Sequence, residues 1–219
     1  MYATEALAAG SKINTGLLLT DSRAAWVAFI CGSAFFCYWM VRPLRYRKKI
    51  FIYGLLIFVT VLFFMVLPSS IKKRVMTIAD KNVNINRISL WKKSFIIIDN
   101  HPLFGTGLNT YAQVSPHYYV PRAGNEYPHN SYLHMAAEIG VLGLCSFLWM
   151  VVTLFWCGIV ALKNRGDPLL NGYYSGITAY LVQSFFDTNV YSLQLGIFFW
   201  IIIGITLSYL CVQMKDESV

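Results

Sequence analysis

The sequence predicts an all-α polytopic membrane protein, with about five transmembrane helices and one long periplasmic loop containing short amphipathic helices. Three observations predict it. First, 57% of the 219 residues are hydrophobic and only 13% are charged, against roughly 25% charged in a soluble domain. Second, the apolar residues fall in separate runs of about 20, the length a helix needs to cross a bilayer. Third, the charges gather between those runs. Lipid offers no partner for backbone N–H and C=O groups, so each run must be helical, and the alternating pattern of an outer-membrane strand is absent. A disordered chain, a disulfide mini-domain and most soluble folds are excluded. A net charge of +8 would suggest nucleic acid in a soluble protein. Spread between apolar runs, it points to membrane lipids instead, with no nucleic-acid partner.

The elements follow in order. Residues 1–14 do not read as a signal peptide, because Glu5 stands near the start and no apolar run begins before Leu17. The first span is Ala24–Val41 and the second Ile50–Leu67. Between them lie Arg42, Arg45, Arg47, Lys48 and Lys49 with no acid, which marks a cytoplasmic connection. The third span runs from about Ile139 to Leu162, and Lys163 and Arg165 follow it on the same side. The fourth is Leu169–Phe186 and the fifth Leu193–Met214. Gly32, Ser33, Gly143, Gly176, Gly196 and Gly204 let helices approach closely. The five cysteines lie inside spans without a C-x-x-C pair and read as small apolar side chains. This topology makes residues 1–219 one membrane domain and places the segment 68–138 outside, in a bacterial periplasm. Lys72, Lys73 and Arg74 oppose that placement by charge, but long loops count weakly in the rule. They read as a surface anchor.

Loops longer than about 15 residues are uncommon unless functional. Within this one, Asn86 is expected to cap a helix over Arg87–Ile98. Ile88, Leu90, Trp91, Phe95 and Ile98 form its apolar set, with Lys92 and Lys93 polar, as in a helix lying on a membrane surface. The helix should end at Asn100, before Pro102. Gly105 and Gly107 then read as tight turns. A phosphate-binding loop would need a following Lys-Ser/Thr and a preceding strand. Asn130 or Ser131 should cap a helix leading into the third span. His134 and Glu138, four apart, share a face and can hydrogen-bond. His129 stands at the head of that helix. A lone histidine is more often structural than catalytic. A metal site from His129, His134 and Glu138 is disfavoured, since positions five apart face different ways, and no cofactor is implied. Arg23, at the outer end of the first span, needs a partner. It is either an anchor beside Trp26, with Asp21 near, or a clamp on phosphate, which guanidinium matches in a two-pronged geometry. Arg87 is either a solvated charge or a second group facing that pocket.

Four motifs now stand in order: Leu-Thr-Asp-Ser-Arg-Ala-Ala-Trp over 19–26, Arg-Ile-Ser-Leu-Trp over 87–91, His-Pro-Leu-Phe-Gly-Thr-Gly-Leu-Asn-Thr-Tyr over 101–111, and His-Asn-Ser-Tyr-Leu-His-Met-Ala-Ala-Glu-Ile-Gly-Val-Leu-Gly-Leu over 129–144. Together they resemble the C-terminal half of the O-antigen ligase and O-antigen polymerase superfamily, bacterial inner-membrane glycosyltransferases. The resemblance covers about Leu17 to Leu148, and the last two spans by topology. Members are usually longer, and their helices before the Ser-Arg motif have no counterpart here. The resemblance implies transfer of a glycan from undecaprenyl diphosphate to an acceptor hydroxyl at the periplasmic face of the inner membrane, without metal or nucleotide sugar. The acceptor is a lipid A-core sugar in ligases, another carrier-linked glycan in polymerases, and a protein Ser or Thr in relatives. By the same resemblance Arg23 and Arg87 bind the diphosphate and His129 is the catalytic base. Glu138, His134, Tyr111 and Asn109 are supporting candidates, the last two as glycan contacts. The reading from a different class is a non-catalytic membrane subunit or truncated remnant, which would tolerate loss of His129.

Overall fold

A computed structural model describes residues 22–44, 48, 81–124 and 127–216; the side chains of Arg23, 81–84, Arg165 and 213–216 fall outside that set. The expected second span, the Lys72–Arg74 cluster and Asp21 also lie outside the described residues. The described residues form six α-helices and no strand: α1 (Arg23–Val41), α2 (Lys81–Asn100), α3 (Tyr111–Val114), α4 (Ser131–Arg165), α5 (Pro168–Ser184) and α6 (Leu193–Asp216). Single 3₁₀ turns over Ser115–His117 and Asn189–Tyr191 follow α3 and α5.

Three helices are long and apolar enough to cross a membrane, over Ala24–Val41, Ser131–Asn164 and Leu193–Val212. The expected fourth span is shorter than predicted. It closes at Ser184, where the N–H groups of Phe185 and Phe186 turn back onto Val182 O and Gln183 O. Its 17 residues rise only about 26 Å. Three of the helix starts have a local cause. Ser22 Oγ accepts from Ala25 N at 3.3 Å, Asn130 Oδ1 from the N–H groups of Tyr132 and Leu133, and Asp167 Oδ1 from those of Leu169 and Leu170. Gly166, in the left-handed region at φ 62°, ends α4.

α1 and α5 pack closely. A side chain on Gly32 would meet Ser175 O and the Ala179 methyl, and Asn171 Nδ2 donates to Phe36 O at 2.9 Å. Earlier residues of α1 therefore face later residues of α5, and the two helices are antiparallel. A core of Trp39, Phe147, Leu154, Tyr174, Ile177 and Phe199 joins α1, α4, α5 and α6. Tyr174 donates its hydroxyl to Leu154 O, and Gly158 makes room for that ring. Trp149, Val152, Trp156, Phe198 and Ile201 point outward, as lipid-facing side chains do.

The loop helix α2 departs from its expected form in two ways. It begins at Lys81, so Asn86 lies inside it and does not cap it. Its inward face is Ser89, Leu90, Lys93, Ser94 and Ile97, while Ile88, Phe95 and Ile96 are exposed. The amphipathic pattern places Lys93 on the wet side. The fold takes this lysine inside because backbone and hydroxyl acceptors are waiting there: Nζ donates to Gly124 O at 2.9 Å and to Ser115 Oγ at 3.4 Å. Burial holds its pKa below the ordinary lysine value.

Candidate functional site at one end of the bundle

The Arg23, His129 and Ser184 ends of three helices meet at one end of the bundle. His129 immediately precedes the Asn130 cap and has a left-handed backbone, φ 47°, uncommon for a residue with a side chain. Its Nδ1 lies 3.5 Å from Asp187 Oδ1, with both side chains about half exposed. That pairing is built from both sides. Ser131 donates its N–H (3.1 Å) and its hydroxyl (2.8 Å) to Asp187 O. Thr188 N donates to Asp187 Oδ1 at 2.8 Å, and Tyr132 OH donates to Leu181 O at 2.7 Å. The head of α4 is thus locked to the turn after α5.

Two further elements converge on this locus. Trp91 Nε1 of α2 donates to Pro128 O at 2.9 Å, one residue before His129, and the ring packs edge-on against Phe185. Arg87, half-buried, lies one turn before Trp91 and therefore on the same face. The register of α1 against α5 sets the head of α1, where Arg23 stands, level with the Ser184–Asp187 end. Sequence reading singled out Arg23, Arg87 and His129. Asp187 is not among those candidates. No local signal marks Asp187, because its partner belongs to a distant part of the chain.

Three of the supporting candidates, Glu138, His134 and Tyr111, form a second, buried cluster just behind. Gly140 interrupts α4 with φ 73° and ψ 178°. The break removes the partners of two helical carbonyls and one N–H, and the 101–111 loop supplies all three. Thr106 N donates to Ala137 O (2.9 Å), Gly107 N to Glu138 O (2.8 Å), and Val141 N to Pro102 O (2.8 Å). Gly105 and Gly140 permit this approach. A side chain on Gly105 would strike the Glu138 backbone, and one on Gly140 the Leu103 carbonyl. The turns expected at Gly105 and Gly107 are therefore docking turns, both with positive φ.

Glu138, fully buried, accepts from Asn109 N and Tyr111 N, each at 2.9 Å, and from His134 at 3.1 Å. The expected His134–Glu138 pair is present, and the carboxylate fastens the loop. His134 stacks on Tyr191 at 3.7 Å and is flanked by Tyr111 and Tyr127. Burial, and after it the Glu138 carboxylate, pushes the Tyr191 phenol above its ordinary pKa. Tyr111 is not at a surface. Its hydroxyl lies 2.7 Å from Ser94 Oγ deep in the packing, and burial raises its pKa more than that bond lowers it. Tyr111 thus packs in the interior, while Asn109 is exposed. Among the described residues no group of His, Cys, Asp and Glu is arranged to hold a metal ion.

No curated protein and no solved structure gives a significant match. The O-antigen ligase family model matches residues 8–148, a stretch that carries Arg23, Arg87, His129 and the whole Gly140 docking loop. Because that match spans more than half of the chain, the protein belongs to the O-antigen ligase family.

Proposed function

We propose that the protein transfers a glycan from undecaprenyl diphosphate to an acceptor hydroxyl, ligase-like with a lipid A-core acceptor, at the periplasmic face of the inner membrane. The observation that carries this reading is the convergence at one end of the bundle. His129 faces a carboxylate there, the head of α1 with Arg23 stands level with it, and α2 brings the Arg87 face alongside.

The chemistry follows from those groups. The Asp187 carboxylate beside Nδ1 favours the tautomer with its proton there, which leaves Nε2 with a free lone pair. Nε2 takes the acceptor proton as the hydroxyl oxygen attacks the anomeric carbon. The bond from that carbon to the diphosphate breaks, and its electron pair leaves with the diphosphate. Single displacement inverts the carbon. Arg23 and Arg87 stabilise the charge gathering on the leaving group as fixed donors.

Reconstituted membranes with a lipid-linked glycan donor and lipid A-core acceptor test the reading. Alanine at 129 would be strained by the left-handed backbone, whereas asparagine tolerates it. His129→Asn is therefore the cleaner variant, with transfer expected to fall about 10²- to 10⁴-fold. Arg87→Ala is expected to cost about 10²- to 10³-fold. Wild-type transfer by His129→Asn would sink the base assignment and favour a non-catalytic subunit.

A further inference from the structure

The docking loop displays an apolar tip. Leu103 is 56% exposed, Phe104 77% and Leu108 74%, and no charged residue occurs between Pro102 and Thr110. Large apolar side chains held out on a loop need a reason, since exposed apolar patches mark interaction surfaces. This tip is not a loose excursion. The three backbone hydrogen bonds to the Gly140 break fix its height on α4.

That height can be compared with the bilayer. Lys163 is the first charge at the far end of α4. The uncharged stretch from Val141 to Leu162 rises roughly 33 Å, against a hydrocarbon core of about 30 Å. The near boundary of the core thus falls at Val141, directly beside the break. Val141 and Leu142, the first residues past it, are themselves exposed. Leu103 and Phe104, whose backbone lies against Gly140, therefore stand at the level where headgroups meet acyl chains.

We propose that Leu103 and Phe104 form a fixed wedge that inserts into the lipid leaflet beside the first turn of the α4 span. The occupant of this surface is bilayer lipid, because the apolar tip continues the exposed apolar face of a membrane helix at the depth of the interface. The wedge anchors the loop end of the bundle to the membrane and holds the His129 end at a set height above it. It does not depend on the glycan-transfer reading.

The test places a nitroxide spin label at 104 in the full chain, with the five native cysteines replaced, reconstituted in phosphatidylcholine/phosphatidylglycerol vesicles. Accessibility to oxygen and to a water-soluble nickel chelate is compared with labels at Val152, on the outward face of the span, and at Gln113, exposed on α3. The wedge predicts an oxygen-to-nickel ratio at 104 severalfold above that at 113 and approaching that at 152. A ratio equal to that at 113 places the tip in water and overturns the proposal. Low accessibility to both reagents means that protein covers the tip and overturns it equally. Phe104→Leu, which keeps the site apolar, with a label moved to 103 repeats the measurement without the aromatic ring.

Discussion

At the scale of single residues, Asp187 is the position that most changes how the site is understood. Its two roles can be separated. Its backbone carbonyl holds Ser131, while its side chain faces His129 and accepts from Thr188 N. Asp187→Asn keeps the first and removes the charge that faces the imidazole. We expect kcat for glycan transfer to drop at least about tenfold, with donor KM little changed and the thermal midpoint close to wild type. A purely structural residue would instead lower the midpoint and leave the rate per folded molecule alone. The residues the sequence made legible were those linked by local spacing. His134 and Glu138 are four apart, and Asn130 caps the helix that follows His129. Asp187 was illegible because its significance comes only from the closure of α5 onto the head of α4.

At the scale of elements, the Gly140 break does what the sequence could not announce. The run Ser131–Arg165 reads as one helix in pattern and length, and the hydrogen bonds that show the break all involve the 101–111 loop. Gly140→Ala would force a side chain into a backbone region that is essentially glycine's alone and against Leu103 O. We expect a loss of about 2 kcal/mol or more, a lower thermal midpoint in detergent, and faster proteolysis within 101–110. Unchanged proteolysis would show that the loop does not rely on the break. The misassigned face of α2 has a similar cause. Hydropathy put Lys93 outside, but Gly124 O and Ser115 Oγ, contributed by later segments, make an interior lysine tolerable.

At the scale of the whole molecule, the helical character of the described residues, with three helices long and apolar enough to cross a membrane, was legible from composition and run length alone. The pairing of α1 with α5 was legible only as a set of small residues. Gly32 lies against Ser175 and Ala179, where no larger side chain fits without moving a helix. Gly32→Leu should cost about 1–3 kcal/mol by overpacking, read as a lower thermal midpoint. Transfer should fall with it, because the same displacement carries the head of α1 away from the Asp187 end. A variant that lost stability but kept full activity would argue against Arg23 acting at that end.

The interlock of Gly105 with Gly140 also bears on how such a protein can change by descent. Two stretches far apart in the gene share one set of backbone hydrogen bonds, with each glycine fitted against the other segment. A recombination event that imports one stretch without the other brings together surfaces shaped for different neighbours. The 101–111 and 131–141 segments are therefore best inherited, or transplanted by an engineer, as a single cassette.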